Sequence, residues 1–138
     1  MTSRLPLGPG TVLGPLVVGP LTRSDFVRYA GASGDFNPIH HDEEFARAAG
    51  NPTVFGHGML AAGVLARVLS RVVGYERLRR YRVRFVARLW PGDTLTCQGR
   101  VTGRSEAAGE VRIDGELMAT NQRGELVVTG EFSAALPA

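Results

Sequence analysis

Residues 57–73 read HGMLAAGVLARVLSRVV, and this stretch decides the fold because it is apolar almost all round. Its few polar interruptions, at Arg67, Ser70 and Arg71, leave little hydrophilic surface, which is typical of a helix that other elements enclose. The stretch is shorter than the roughly 20 residues that a membrane span requires. The sequence therefore predicts a long central helix that is buried by another large element of the protein.

The second half of the chain predicts the element that covers this helix. Residues 78–89 alternate in polarity, which is the periodicity of a β-strand. The two faces of this strand are predicted to carry Tyr81, Val83, Phe85 and Ala87 on the inside and Arg80, Arg82 and Arg84 on the outside. Further strands are predicted over 94–102, 111–120 and 126–134, with turns at 91–93 and 121–124. An antiparallel sheet wrapped around the helix buries the apolar side of both, so we predict one α+β domain over residues 1–138.

The first 50 residues predict one strand and two short helices. These are a strand over 11–18, a helix over 23–32 that Thr22 caps and Gly34 ends, and a helix up to Ala48 that Asp42 caps. Between the helices, Asn37 precedes a proline, whose ring disfavours the helical conformation for the residue before it. Residues 35–40 are therefore predicted to form a non-helical loop.

The composition limits the classes of protein that fit. The net charge is only +3 and acidic residues are spread through the chain, which argues against the concentrated basic stripe of a nucleic-acid-binding protein. Cys97 is the only cysteine, so neither an intrachain disulfide nor a cysteine-based zinc cluster can form, and we expect it to pack in a strand. Residues 1–19 lack the basic and apolar runs of an export signal, so we expect a cytoplasmic protein without a membrane span.

The predicted loop carries a dense group of polar residues, Asp35, Asn37 and His40. A carboxylate can accept a proton from water, and a histidine can accept or donate one near neutral pH. Asp35 and His40 can therefore hold and polarise one water molecule. The Asn37 amide can orient either partner or the backbone of the loop.

A second candidate element lies at the start of the central helix, where Gly56 and Gly58 flank His57. The first N–H groups of a helix lack intrahelical acceptors, and the helix dipole favours negative charge there. Gly58 lets a ligand approach the backbone closely. A donor held in place there can stabilise negative charge that develops on a substrate oxygen, and the Gly58 N–H is a candidate donor of this kind. His57 is either a structural hydrogen-bonding residue or a contact on the substrate side.

Residues 33–40 (SGDFNPIH) and 56–59 (GHGM) resemble the hydratase signature of the MaoC-like hot-dog enzymes, the (R)-specific enoyl-CoA hydratases and 3-hydroxyacyl dehydratases. The likeness covers nearly the whole chain, because 84–85 (RF) and 91–95 (PGDTL) resemble the strand and turn that follow the central helix in that family. It implies a hot-dog fold. It also implies a lyase of fatty-acid metabolism that reversibly hydrates trans-2-enoyl thioesters to (R)-3-hydroxyacyl thioesters.

The resemblance further implies residue roles and partners. The family's catalytic Asp and His correspond to Asp35 and His40, and its oxyanion glycine corresponds to Gly58. Some members support the carboxylate with a serine on the central helix, but Ala66 stands at that position, so Asp35 must be oriented in another way. The implied assembly is a homodimer or heterodimer with sheets joined edge to edge and the active site at the interface. The implied substrates are thioesters of coenzyme A or of acyl carrier protein, and no cofactor is implied.

Several neighbouring residues have simpler interpretations. The residue types of Asp35, His40, His41 and His57 suit a metal, but their spacing is not that of zinc sites, so we expect none. Phe36, Val54 and Phe55 either line an acyl pocket or pack in the core.

The run of arginines between 77 and 88 also has two interpretations. A positively charged outer face keeps a strand solvated and discourages aggregation through its edge. Alternatively, Arg82 and Arg84 contact the phosphates of coenzyme A or the acidic surface of acyl carrier protein, because arginine binds phosphate and carboxylate with two parallel hydrogen bonds.

Two other functions compete with the hydratase interpretation, because a fold alone does not determine a reaction. A hot-dog thioesterase typically places its carboxylate on the central helix, and residues 57–73 contain no acidic residue. A non-catalytic acyl-binding partner subunit has no need of Asp35 and His40 together. The sequence therefore favours the hydratase.

Overall fold

The computed structural model describes residues 6–137 as five β-strands and three α-helices, with two one-turn 3-10 helices at Pro38–His40 and Tyr75–Arg77. The strands are β1 (Val12–Val18), β2 (Leu78–Phe85), β3 (Leu95–Ala107), β4 (Glu110–Thr120) and β5 (Leu126–Ala135). The helices are α1 (Arg23–Ser33), α2 (Glu43–Ala48) and α3 (Gly58–Val73). Residues 1–5 and 138 lie outside the described residues; they include the two ends of the predicted domain and the start of the segment predicted to lack an export signal.

The strands form one antiparallel sheet in the order β1-β3-β4-β5-β2. Helix α3 contacts all five of these strands, so the sheet wraps around it. The prediction of an α+β hot-dog fold with a long central helix is confirmed. Strand β2 lies at one edge of the sheet, and within residues 6–137 its outer side pairs with no other strand.

The hydrophobic core lies between α3 and the inner face of the sheet. Leu65 in the middle of α3 is fully buried and shares one hydrophobic cluster with Leu95 of β3 and Ile113 of β4. Burying one such side chain contributes about 1.5–3 kcal/mol. Cys97 is buried in β3, as predicted. No helix among the described residues combines the length and apolar character needed to cross a membrane.

Strand β2 is fastened to α3 through its inner face. The Tyr81 hydroxyl donates a hydrogen bond of 2.6 Å to the Ala62 carbonyl of α3. The Phe85 ring lies beside the first residue of α3, where a Cβ on Gly58 would meet ring carbons at 3.1–3.2 Å. The outer face carries the exposed arginines 80, 82 and 84, and Tyr81 and Val83 between them are half-buried, so the predicted alternation is confirmed as far as Arg84. Beyond it the prediction was wrong, because Phe85 is 53% exposed and Ala87 lies past the end of the strand.

The ends of the first two helices follow the sequence closely. Thr22 and Asp25 form the predicted capping box at the start of α1, with the Thr22 N–H donating to the Asp25 carboxylate at 2.7 Å. Gly34 adopts a left-handed conformation (φ 77°) that ends α1, and the Asp42 side chain caps α2. These caps fix both ends of the loop that carries the polar residues.

Two of the predicted strand boundaries were wrong. Strand β2 ends at Phe85 and not at Leu89, because its regular pairing with β5 breaks there: the N–H groups of Val86 and Ala87 both donate to the single Val127 carbonyl. Strand β3 continues to Ala107, beyond the predicted end at residue 102, because its backbone pairs with β4 along a long hairpin.

The prediction of a wholly non-helical loop over 35–40 was also wrong in part. Asn37 has a non-helical conformation (φ −56°, ψ 122°), as expected for the residue before a proline. The proline restricts only the residue before it and is itself compatible with the first position of a helix. Residues Pro38–His40 therefore form a single 3-10 turn, with the Asn37 side chain as its cap.

Candidate active site

The loop after α1 holds the Asp35 side chain in an outward position. The Asp35 N–H donates to Ser33 Oγ at 3.2 Å, and Asp35 Oδ1 accepts the Asn37 N–H at 3.2 Å. Asn37 Oδ1 in turn accepts the Ile39 N–H at 3.1 Å. The Asn37 oxygen thus organises the loop backbone, and the second carboxylate oxygen of Asp35, whose side chain is 52% exposed, stays available.

His40 is held in one orientation by a backbone acceptor. Its Nδ1 lies 2.7 Å from the Phe55 carbonyl oxygen. A carbonyl oxygen can only accept, so the hydrogen of the neutral ring is on Nδ1 and Nε2 carries the free lone pair. The buried ring therefore presents a base at Nε2.

The His40 base and the Asp35 carboxylate face each other. His40 Nε2 lies 3.8 Å from Asp35 Oδ2, which is too long for a direct hydrogen bond. In the neutral state both atoms are acceptors, so a water molecule that donates one hydrogen to each satisfies the two together. The structure thus brings close together the two side chains that the sequence predicted to share a water molecule, and we call Asp35 and His40 the dyad.

His57 lies beneath the dyad and not at its open side. The residue is only 2% exposed, and its Nε2–H donates to the Asp35 backbone carbonyl at 3.1 Å. Its ring stacks on His40 with centroids 3.8 Å apart, and Tyr29 packs against it edge-on. Burial lowers the pKa of His57, the largest cause being loss of solvation of the charged form. Of the two roles considered from the sequence, this geometry is that of a structural hydrogen-bonding residue.

Free backbone donors lie next to His57 in the chain. His57 is the N-cap residue of α3, but its side chain makes no capping hydrogen bond. Within residues 6–137, the N–H groups of Gly58 and Met59 have no acceptor, because the first backbone bonds of the helix begin at Leu60. Two N–H groups at the positive end of the α3 dipole are therefore open to an anionic oxygen.

The predicted pocket residues occupy different environments. Phe55 packs edge-on against the His40 ring, and it also contacts Trp90 and lies under the Arg88 guanidinium at 5.0 Å. Val54 is buried in the protein, whereas Phe36 is 64% exposed. Trp90 is a neighbour of the site that no sequence pattern indicated, because it is brought there by the backbone bridge between Gly56 and Leu89.

A family model described as "MaoC like domain" matches residues 9–122 of the chain. The chain belongs to the MaoC-like domain family. An (R)-specific enoyl-CoA hydratase from Rhodospirillum rubrum is 32% identical over 120 residues, which are 86% of this chain and 81% of that protein. The solved R-hydratase PhaJ1 from Pseudomonas aeruginosa has a TM-score of 0.79 and 25% identity, and the match covers 95% of this chain and 83% of that one.

Some relatives of this MaoC-like domain are much longer proteins. The fatty acid synthase subunit beta of Aspergillus oryzae is 32% identical over 127 residues, which are 80% of this chain but 6% of that protein. The chain thus corresponds to less than a tenth of the length of several of the curated relatives it matches.

Arg82 and Arg84 of the MaoC-like domain do not meet the dyad within one chain. They lie on the face of the sheet turned away from α3, where they line a groove of about 780 Å³ together with Arg100 and Glu131. Arg82 is directly opposite Glu131 on β5. A contact between these arginines and a substrate phosphate remains a prediction.

Three side chains lie close enough together to be considered as ligands of a metal ion. Potential ligand atoms of Asp35, His40 and His57 lie within 4.8 Å of one another. However, His57 Nε2 is already bonded to the Asp35 carbonyl, and its Nδ1 is buried without access to solvent. His41 turns toward the Phe36 carbonyl. Only the dyad can then offer open ligand atoms, so the expectation of no metal stays in place.

Proposed function

We propose that this MaoC-like domain is a hydro-lyase that reversibly hydrates trans-2-enoyl thioesters to (R)-3-hydroxyacyl thioesters in fatty-acid metabolism. The observation that carries the proposal is the 3.8 Å separation between His40 Nε2 and Asp35 Oδ2, two proton acceptors aimed at a common point. Relatives named as hydratase and dehydratase support it. The stereochemistry at C3 comes from those relatives alone.

The proposed hydration begins with the water held by the dyad. As the water oxygen bonds to C3, one water proton passes to the dyad and the π electrons of C2=C3 move toward the thioester carbonyl. The developing enolate oxygen accepts hydrogen bonds from the free N–H groups of Gly58 and Met59. Because these donors are held in place in advance, they stabilise the enolate oxygen more strongly than the oxygen of the neutral carbonyl. The dyad then returns a proton to C2, which restores the thioester and completes the addition. Dehydration follows the same steps in reverse.

The proposed assembly is a dimer joined through the free edge of β2. This edge has unpaired backbone groups, and an exposed edge is suited to pairing with a second strand. The apolar side chains of Met59, Phe85 and Val86 are also exposed near the start of α3 and the end of β2. A second subunit that covers them would close the site from water. A cytoplasmic location belongs to the same proposal.

Acyl-coenzyme A and acyl carrier protein thioesters are both proposed substrates, and Arg82 and Arg84 are proposed contacts for the carrier. The measurement is the KM of Arg84→Ala for crotonyl-CoA at low salt. If Arg84 contacts a phosphate of coenzyme A, its removal should raise KM. The effect should be largest at low salt, because surface charge interactions are strongest at low ionic strength. An unchanged KM would reject the contact.

The test of the reaction follows the loss of crotonyl-CoA absorbance on addition of the protein. We expect wild type to be active and His40→Gln to lose about two to four orders of magnitude of kcat. His41→Gln is the matched control, because His41 is the exposed neighbouring imidazole and should keep full activity. Release of free thiol from acyl-CoA without hydration would support a thioesterase instead, and absence of both reactions would support an acyl-binding subunit.

A further inference from the structure

We propose that His57 is a positioning residue of the dyad: as a neutral imidazole it holds the Asp35 main chain and supports the His40 ring, and so sets the distance between the two reacting groups. The proposal rests on the hydratase function proposed above. His57 itself touches neither substrate nor water in this assignment.

The first observation is the tie between His57 and Asp35. The other hydrogen bonds of Asp35 are local, to Ser33 and Asn37, and they shape the loop without fixing where it lies. The bond from His57 Nε2–H to the Asp35 carbonyl is the long-range one among the described residues, spanning 22 positions. It joins the exposed loop to the start of the buried helix α3. Without this bond, Asp35 would make no hydrogen bond that connects the loop to the core.

The second observation is the stack of the two imidazoles. The ring planes of His40 and His57 are inclined by 29° with centroids 3.8 Å apart, which is close contact over the ring faces. Tyr29 of α1 packs edge-on against His57 at 4.8 Å. His57 is therefore wedged between α1 and His40, and together with the Phe55 carbonyl it leaves the His40 ring one orientation.

The third observation concerns the charge of His57. Its Nδ1 is buried and has no hydrogen-bond partner among the described residues. Protonation would place an unsatisfied N–H in the interior and a positive charge against His40. The groups that face it are Tyr29 from α1 and Asp35, His40 and His41 from the loop. Loss of solvation outweighs the nearby Asp35 and lowers the pKa, which keeps the ring neutral while the dyad works.

These observations require opposite tautomers in the two stacked rings. His57 must carry its hydrogen on Nε2 to donate to the Asp35 carbonyl, whereas His40 must carry its hydrogen on Nδ1 to donate to the Phe55 carbonyl. Nitrogen-15 NMR of histidine-labelled protein distinguishes the two forms directly. This signature does not depend on activity.

The kinetic experiment compares His57→Leu, which removes the donor but fills the space, with His57→Gln, which restores an N–H at a similar reach. His41→Leu is the control on the exposed neighbour. We expect His57→Leu to lower kcat about 10²-fold, the scale of a misplacement of about 1 Å in a reacting group, with KM within about twofold. His57→Gln should recover most of the loss, and neither variant should shift the base-limited arm of the pH–rate profile as removal of a titrating base would.

Each outcome bears on the proposal. A wild-type kcat in His57→Leu, an effect on KM alone, or an NMR spectrum with the His57 hydrogen on Nδ1 would overturn it. If His57→Leu does not fold, His57→Gln and the tautomers of the wild-type protein decide the question. If wild type hydrates no enoyl thioester, the proposed function fails, while the NMR result still accepts or rejects the arrangement of the two rings.

Discussion

The substitution Asp35→Asn tests whether the carboxylate acts in the reaction. Asparagine has nearly the same shape and retains an oxygen to accept the Asn37 N–H, and the Asp35 carbonyl that His57 binds is unaffected. Because the side chain is half exposed, the free energy of unfolding should change by no more than about 0.5 kcal/mol. Any large effect on turnover therefore reports on the chemistry.

The magnitude follows from the 3.8 Å between Asp35 Oδ2 and His40 Nε2. If Asp35 only stabilised a proton on His40 through its charge, the attraction would be about 1 kcal/mol with both groups fully hydrated, or less than about tenfold in rate, and about 4 kcal/mol at the effective dielectric constant of a protein surface. If Asp35 accepts the proton from water, its loss should lower kcat by about 10² to 10⁴, or about 3–5 kcal/mol. We expect a decrease of this size.

The assay is crotonyl-CoA hydration at saturating substrate, with thermal unfolding of each variant measured alongside. Asp42→Asn is the matched control, because Asp42 is a nearby exposed aspartate whose cap on α2 an asparagine also provides. A decrease of less than tenfold in Asp35→Asn, with the control unchanged, would refute the role of Asp35 as proton acceptor.

Denaturant unfolding tests the surroundings of the site. Leu65→Ala should lower the free energy of unfolding by about 2–5 kcal/mol, because it opens a cavity under the middle of α3; a loss below about 1 kcal/mol would contradict the buried central helix. Tyr81→Phe should lower it by about 0.5–1.5 kcal/mol, since it removes the hydrogen bond to the Ala62 carbonyl, and an unchanged midpoint would mean that water replaces this bond. Because the pKa of His57 is lowered from 6.5 in the folded state, its imidazole binds a proton in the unfolded chain at pH values at which it stays neutral in the folded chain. The free energy of unfolding of wild type should therefore fall as the pH drops below about 6.5 and be retained above that pH. Urea titrations at several pH values should show that the free energy of unfolding depends less on pH in His57→Gln.

The sequence predicted the parts of the fold that local pattern determines. A few adjacent residues determine each of these features: the apolar circumference of α3, the cap at Thr22 and the left-handed end of α1 at Gly34. The end of β2 is not determined in this way, since apolar residues continue past Phe85 while the N–H groups of Val86 and Ala87 converge on one carbonyl of β5 and end the regular pairing. The extension of β3 to Ala107 had no apolar pattern to reveal it, because backbone pairing with β4 alone maintains it.

The candidate site likewise has features that adjacent residues determine and features that only the folded chain produces. The proximity of Asp35 and His40 could be predicted because both lie on one short loop between two helices. The acceptors that fix the histidines could not, because the Phe55 and Asp35 carbonyls are backbone groups, and backbone groups have no signature in a sequence. The sequence predicted that Arg82 and Arg84 lie on the outer face of β2, but only the folded sheet shows that this face is turned away from the dyad.

The bond from His40 to the Phe55 carbonyl has a further consequence for how such a site can change. A main-chain acceptor survives any replacement of the side chain at position 55, so the wall beside His40 can be widened, narrowed or made polar while the imidazole keeps its tautomer. The sequence predicts that Phe55 lines an acyl pocket or packs in the core. On the first prediction, variants at Phe55 should change the preference for acyl groups while the orientation of the His40 ring is kept.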